Sequence, residues 1–277
     1  MNYKIVSDSG SNLRKIESSV AFASVPLKIN TDEREFVDDS FLEVGEMISY
    51  LNGYAGKSGT ACPGVAAWLD AFGDADAVFC LTITSTLSGS CNAARLAKED
   101  YEAMHPDRHV FVIDTLSAGP EMKLLIDRLL EMMDQGKDYE TICRGIMEYK
   151  EHTGLMFSLE SLKNLANNGR VSPVVAKLAG VLGIRVVGRA SDHGELEPMD
   201  KCRGEKKALP AIIKHMKEMG YAGGKVRIDH CNNLPGAQKL KDLLLKEYGE
   251  ADIGIGETFG LCSYYAEQGG LMVGFER

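Results

Sequence analysis

A buried strand that leads through a hydroxyl-rich turn into a helix limits the fold of this chain more than any other stretch. Residues 77–81 are a continuous apolar run of strand length, and residues 92–99 are helix formers. Serines, threonines and Gly89 lie between them. In open α/β sheets such turns lie at the carboxyl ends of the strands, where ligands bind. The stretch therefore predicts an α/β fold with a ligand site at this turn.

Strand and helix patterns alternate through the first half of the chain. The strand patterns cover residues 3–8, 20–29, 77–81 and 109–113, and the helix patterns cover residues 41–51, 65–72, 92–99, 121–135 and 139–151. Pro26 places residues 20–29 at a sheet edge or a bulge, and we expect the acidic segment 31–39 to be a loop. The alternation predicts a parallel, doubly wound sheet that helices cover on both faces.

A second block of patterns begins near Gly154. Its strand patterns cover residues 155–159, 184–188, 194–199, 225–230, 251–255 and 271–275, and its helix patterns cover residues 162–166, 174–179, 209–219 and 236–248. We expect Ser172 and Pro173 to cap the helix at 174–179, and strands 184–188 and 194–199 to form an antiparallel pair. Because 277 residues suit two domains better than one core, we predict an α/β domain at 1–153 and a mixed α/β sandwich at 154–277.

Ser88 and Thr60 are candidates for binding an anion. A helix N-terminus leaves backbone N–H groups unpaired and carries partial positive charge, which suits a carboxylate or phosphate. Ser88 precedes one predicted helix, and Thr60 lies just ahead of Pro63, which can open another. Capping of its own helix explains Ser88 equally well, and both roles can coexist. Asp8 also follows a strand, although a turn fits its position at least as well as a ligand site.

Charge and cysteine usage exclude several function classes. A formal net charge of −9 argues against nonspecific nucleic-acid binding and against a basic membrane-docking face. The sequence contains neither a signal-peptide pattern nor the roughly 20-residue apolar run that a membrane span needs, so we expect a cytoplasmic protein. Seven cysteines without a Cys-x-x-Cys pair, and six scattered histidines, indicate free thiols and no metal site.

Several short motifs follow one another in a specific order nearly from end to end. They are Ile5-Val6-Ser7-Asp8-Ser9, Val25-Pro26-Leu27, Thr60 with Pro63, Thr84-Ser85 with Leu87-Ser88-Gly89, Asp114-Thr115, Asn168-Gly169-Arg170-Val171-Ser172, and the basic stretch from Lys201 to Leu209. This ordered set resembles the DegV family, whose fatty-acid-binding members include the B subunits of bacterial fatty acid kinase.

The resemblance implies two α/β domains with a long-chain fatty acid buried between them. It places the carboxylate at the hydroxyls of Thr60 and Ser88, beside Gly89. It also implies that the protein is a carrier without a cofactor. A carrier of this kind presents the carboxylate to a separate ATP-binding kinase subunit, which makes the acyl phosphate.

The C-terminal region departs from the family pattern. The family usually has a Gly-Thr-His-x-Gly-Pro-Gly motif there, whose histidine joins the hydroxyl network, whereas this chain reads Gly260-Leu261-Cys262-Ser263-Tyr264-Tyr265 and has no histidine after His230. Ser263 or a tyrosine is expected to replace that donor, although a different head group or a lost kinase partnership would also fit. Cys62 likewise stands where the family usually has Gln.

Cations are concentrated between residues 201 and 207 of this acidic chain. We predict that the kinase partner docks on Lys201, Arg203 and Lys206, together with Arg170. A solvated loop followed by the start of a helix explains the cluster equally well. Two other functions remain open. One is an enzyme with Ser88 or Ser85 as nucleophile, which needs a nearby base, and the other is a sensor of a phosphorylated metabolite.

Overall fold

The computed structural model describes residues 2–172, 175 and 183–277. The strands within these residues are β1 (Tyr3–Asp8), β2 (Ala21–Val25), β3 (Lys28–Thr31), β4 (Glu35–Val37), β5 (Ser58–Ala61), β6 (Ala77–Thr82), β7 (His109–Asp114), β8 (Thr153–Leu159), β9 (Ile184–Ala190), β10 (Leu196–Arg203), β11 (Val226–His230), β12 (Ile253–Glu257) and β13 (Leu271–Glu276). The helices are α1 (Val44–Gly53), α2 (Val65–Phe72), α3 (Ser90–Met104), α4 (Pro120–Asp134), α5 (Tyr139–Lys150), α6 (Lys163–Asn167), α7 (Glu205–Glu218), α8 (Leu234–Tyr248) and α9 (Gly260–Ala266). The predicted helix at 174–179 and its cap at Pro173 lie, apart from Val175, outside the described residues.

The N-terminal sheet is parallel, with strand order β2-β1-β6-β7. Every residue of β6 is buried, because one core lies on each face of the sheet. Trp68 of α2 and Ala94 of α3 belong to the core on one face, and Leu125 of α4 and Ile146 of α5 belong to the core on the other. The prediction of a parallel sheet covered on both faces is confirmed.

The prediction of one strand over residues 20–29 is wrong. The chain forms β2, leaves the parallel sheet at Pro26, and forms β3 in a separate antiparallel sheet of order β4-β3-β5. Proline has no N–H for a sheet ladder, and the next N–H, that of Leu27, donates to Ser9 Oγ at 3.0 Å. The predicted loop at 31–39 contains β4, whose Phe36 is buried in a core cluster.

The C-terminal sheet is mixed, with strand order β10-β9-β8-β13-β11-β12, and its β11–β12 pair is parallel. The predicted antiparallel pair of β9 and β10 is confirmed. The strands before residue 153 and those from Thr153 onward belong to different sheets. The fold class is therefore an α/β protein with a parallel N-terminal sheet and a mixed C-terminal sheet, and the domain boundary at 153/154 remains a prediction.

Two buried carboxylates connect the halves of the chain. Asp229 of β11 forms an ion pair with Lys123 of α4 at 2.6 Å and accepts a hydrogen bond from Asn12 Nδ2 at 2.8 Å. Asp38 accepts from the N–H groups of Gly260 and Leu261 at 2.8 and 2.9 Å, at the start of α9. Because both carboxylates are almost completely buried, each contact holds C-terminal elements firmly against the N-terminal half.

Candidate functional site

An apolar cavity lies where the N-terminal turns meet the C-terminal sheet. It encloses about 870 Å³ of space that protein atoms do not fill, a figure that includes space open to solvent. Eight leucines line it: Leu27, Leu87, Leu116, Leu155, Leu159, Leu165, Leu196 and Leu261. Such a surface suits a hydrocarbon ligand, because apolar area buried from water contributes about 25 cal/mol per Å².

Two hydroxyls from distant parts of the sequence meet at this cavity. Thr60 at the end of β5 lies with its Oγ1 2.8 Å from the phenol oxygen of Tyr265 in α9, and both residues line the cavity. Burial raises the pKa of Tyr265, although the bond to Thr60 and the charge of Arg170 oppose the shift. Tyr265 is therefore a neutral phenol at physiological pH that can donate a hydrogen bond.

Ser88 lines the same cavity, and a buried carboxylate shapes the turn on which it lies. Asp8 Oδ2 accepts hydrogen bonds from the N–H of Ile83 at 2.9 Å and from Ser90 Oγ at 2.6 Å, and so holds both ends of the turn. Ser88 Oγ accepts from the N–H of Ser90 at 3.2 Å. Ser88 therefore bonds a backbone group of its own helix and faces the cavity as well.

Gly89 contacts Cys62 and not the apolar cavity. A Cβ added to Gly89 would lie 3.0 Å from the sulfur of Cys62, which is closer than real Cβ atoms normally approach. The glycine thus permits the loop before α2 and the turn before α3 to lie side by side.

Arg170 lies at the cavity, although the sequence suggested only a docking role for it. Its Nε donates to the carbonyl oxygen of Leu87 at 3.0 Å, and its guanidinium also bonds the carbonyl of Asn168. Gly169 has φ +70°, a left-handed conformation that glycine adopts readily. Helix α6 ends at Asn167, and the residues that follow it bring a cation to the turn that carries Ser88.

The structure places Ser263 away from this cluster. Its Oγ lies 2.7 Å from Thr258 Oγ1 and donates to the carbonyl of Thr258 at 3.0 Å, and it lines a separate polar pocket beside His230. On the short helix α9, Ser263 and Tyr265 are two residues apart and point to different sides. Of the two replacements considered for the missing histidine, the tyrosine is the one at the cavity.

Three of the four predicted docking cations lie on the edge strand β10 of the C-terminal sheet and on α7, whereas Arg170 lies at the cavity. Lys201, Arg203 and Lys206 are exposed, and none of them forms an ion pair with another described residue. Lys201 pairs in register with Val186, which pairs with the cavity residue Leu159. Since neighbouring strands are about 4.8 Å apart, the backbone of Lys201 lies on the order of 10 Å from that of Leu159.

The described part of the chain contains neither a metal-binding group of side chains nor a membrane-spanning helix. No group of three His, Cys, Asp or Glu side chains there could hold a metal ion, and no helix among the described residues is long and apolar enough to cross a membrane. The cysteines of the described residues are free thiols, and only Cys62 among them is exposed.

Comparisons with known proteins show which family and which solved structures the chain resembles. A family model described as "Uncharacterised protein, DegV family" matches residues 2–277. A DegV domain-containing protein of Streptococcus pneumoniae is 42% identical over 279 residues, which cover 100% of this chain and 99% of that protein.

Two solved structures are similar over almost the whole chain. One is a DegV family protein from Eubacterium eligens loaded with heptadecanoic acid, with 45% identity, a TM-score of 0.97 and 99% of each chain covered. The other is the Streptococcus pneumoniae fatty acid kinase (Fak) B3 protein loaded with linoleic acid, with 42% identity, a TM-score of 0.98, and coverage of 100% of this chain and 99% of that one.

Proposed function

The chain belongs to the DegV family, and we propose that it binds one long-chain fatty acid in the apolar cavity. The observation that carries the proposal is the leucine-lined cavity with Thr60, Tyr265, Ser88 and Arg170 grouped at one part of its wall. An amphiphile with an apolar tail and one anionic end fits a cavity whose polar groups lie together on an otherwise apolar wall. Two similar proteins, from Eubacterium eligens and Streptococcus pneumoniae, were solved with fatty acids bound.

The hydrocarbon tail supplies most of the affinity. Burial contributes about 0.8 kcal/mol per methylene, so roughly fourteen methylenes give on the order of 11 kcal/mol before ordering costs. A charge-assisted hydrogen bond adds only about 1.5–3 kcal/mol. The polar cluster therefore sets the orientation of the ligand, and the leucines hold it.

The polar cluster suits a carboxylate for a second reason. A buried carboxylate without partners costs several kcal/mol, and here Ser88 and the Thr60–Tyr265 pair can donate to it. The half-buried guanidinium of Arg170 supplies a positive charge on the same side. The head group therefore receives hydrogen bonds and a counter-charge without leaving the edge of the cavity.

The protein acts as a carrier in the cytoplasm and presents the carboxylate to an ATP-dependent kinase subunit. The similarity to the Streptococcus pneumoniae Fak B3 protein supports this role, as do the exposed cations on β10 and α7. A serine nucleophile is less well supported. Within the described residues, no histidine or carboxylate side chain is hydrogen-bonded to the hydroxyl of Ser85 or Ser88, whereas such chemistry needs a base within reach.

Lipid extraction tests the proposal. The protein purified from a bacterial host, denatured and extracted, should release about one long-chain monocarboxylic acid per chain, which mass spectrometry identifies. If the extract contains no such acid and the delipidated protein also fails to bind added palmitate or oleate, the proposal is wrong. Release of a phosphorylated metabolite instead would favour the sensor function.

A further inference from the structure

A polar surface pocket adjoins the hydroxyl part of the apolar cavity. Its polar lining consists of Ser85, Thr86, Ser88, Asn92, Arg95 and Arg170. Leu87, Ser88 and Arg170 line both spaces. The two spaces are therefore separated only by the Leu87–Ser88 turn and the side chain of Arg170, and a head group at Ser88 lies beside the pocket.

The pocket brings two guanidinium groups together without carboxylate partners. Neither Arg95 nor Arg170 forms an ion pair with another described residue, although the chain carries a net charge of −9. Arg170 is held in place by the carbonyls of Leu87 and Asn168. The carboxylate of Asp114 pairs with neither arginine. It accepts hydrogen bonds from the backbone N–H groups of Ser85 and Leu116 at 3.1 and 3.2 Å.

Unpaired guanidinium groups surrounded by hydroxyls match the chemistry of a phosphate. The planar fork of arginine bonds two phosphate oxygens at once, and the hydroxyls of Ser85 and Ser88 and the amide of Asn92 can donate to the remaining oxygens. The hydroxyl of Thr86 is already used, because it donates to the carbonyl of His193 at 2.7 Å. A single carboxylate at Ser88 needs fewer donors than both spaces offer. The residues left over, Asn92 and Arg95, are exposed to solvent.

Resting on the proposed function, we propose that this pocket holds the phosphate of the acyl phosphate, with Arg95 as its second counter-charge. In the transfer, a carboxylate oxygen attacks the γ-phosphorus of a nucleoside triphosphate held by the kinase subunit. The new O–P bond forms as the bond from that phosphorus to the bridging oxygen breaks, and the nucleoside diphosphate leaves with the electron pair. The product head group carries two negative charges where the acid carried one.

The test compares two ligands on the delipidated protein without any kinase. One is palmitate, and the other is a long-chain acyl phosphate analogue in which a methylene replaces the bridging oxygen. Arg95→Gln should weaken binding of the analogue about tenfold or more, the loss of one charge-assisted contact, and change palmitate affinity less than about twofold. Arg95→Lys should recover part of the loss, because lysine keeps the charge and not the fork.

Arg144→Gln, at an exposed position on α5, is the matched control and should change neither affinity. Equal thermal midpoints of the three variants and the wild type would show that they are folded. The inference is overturned if Arg95→Gln leaves analogue binding unchanged or weakens both ligands equally. If the wild-type protein binds palmitate poorly, the proposed function itself fails, so the two failures are distinct.

Discussion

Asp8 Oδ2 lies 2.6 Å from Ser90 Oγ, and this contact ties the end of β1 to the first residue of α3. The carboxyl group is fully buried. Burial raises the pKa of Asp8 to about 7, although the hydrogen bonds from Ser90 and Ile83 favour the charged form. The turn that carries Ser88 therefore depends on an acid that titrates near neutral pH.

The stability of the protein should fall as pH rises through this range. An aspartate has a pKa near 3.9 in an unfolded chain, so between about pH 4 and 7 the folded state holds a proton at Asp8 that the unfolded state has lost. The contribution of Asp8 is complete below pH 4 and is lost as pH rises through 7. We expect Asp8→Asn to flatten the pH dependence of the unfolding free energy, measured by urea denaturation at pH 4, 5.5, 7 and 8.

Asp138→Asn is the control for this measurement. Asp138 caps α5, and the hydrogen bond that it accepts from the Thr141 N–H lowers its pKa. Its stabilising contribution is therefore lost as pH falls below the usual pKa of an aspartate, and not as pH rises. An Asp8→Asn variant with the same slope as wild type between pH 4 and 7 would contradict the prediction.

Removal of a hydroxyl from the polar cluster should weaken fatty-acid binding. Thr60→Ala, Ser88→Ala and Tyr265→Phe each delete one potential donor to the carboxylate, which is worth about 1–3 kcal/mol. Fluorescence or calorimetric titration of the delipidated variants with palmitate measures the loss. The thermal midpoint of the lipid-free protein should change little for Tyr265→Phe, since the aromatic ring remains.

Ser263→Ala provides the contrast. Its hydroxyl pairs with Thr258 outside the apolar cavity, so palmitate affinity should stay within about twofold of wild type while stability falls by about 1–3 kcal/mol. A loss of affinity in Ser263→Ala that matches the loss in Tyr265→Phe would mean that the head group lies elsewhere.

A larger side chain at Ala190 should narrow the cavity. Ala190 ends β9, where it pairs in register with Leu196 of β10, and both line the cavity. Overpacking of this kind typically costs about 1–3 kcal/mol, so Ala190→Phe should lower palmitate affinity about tenfold and decanoate affinity much less, because a short chain leaves room. Ala103→Phe, at an exposed position on α3, should affect neither. Equal loss for both acids would indicate general damage.

Charge reversal on the edge strand should affect a kinase and not the ligand. Lys201 of β10 pairs in register with Val186 of β9, which pairs with the cavity residue Leu159 of β8. Arg203 lies two residues further along β10, on the same face, so both cations are on the cavity side of the sheet. Arg203→Glu with Lys206→Glu should leave palmitate binding unchanged and slow acyl-phosphate formation with the host's own kinase subunit. The defect should shrink as salt screens the attraction of the wild type.

Reversal of two exposed lysines elsewhere, Lys137→Glu with Lys246→Glu, makes the same change in net charge. If this control slows the reaction as much at low salt, net charge and not the position of the cations controls docking.

The sheets of this protein could largely be predicted from its sequence. The run at 77–81 is apolar throughout because helices cover both faces of the sheet, and residues 110–113 after the exposed His109 are apolar as well. Such strands are easy to identify. The small antiparallel sheet was missed because β4 and β5 are short and polar, with only Phe36 fully buried between them. Tertiary contacts, and not local pattern, make these segments strands.

The site was harder to predict for a related reason. Thr60 and Tyr265 are 205 residues apart, and no spacing rule relates two such positions. The helix that carries Tyr265 was missed because it has only seven residues and begins at a glycine whose N–H is held by the distant Asp38. Leucines dominate the lining of the cavity, and a leucine that faces a cavity has the same sequence pattern as one that faces a core.

The buried pair of Lys123 and Asp229 has a consequence for how quickly a ligand could exchange. Separation of the two halves would break this pair and the hydrogen bonds of Asp38 at the same time. It would also expose to water the apolar contact of Leu261 with the core of the N-terminal half. A hinge that opens the whole interface is therefore slow to form. Exchange of a cavity ligand would instead follow local fluctuations of surface segments such as β5 and the Ser191–Gly194 turn. The rate of ligand release should therefore depend on residues in these segments, and it should be insensitive to the area of the interface between the two halves.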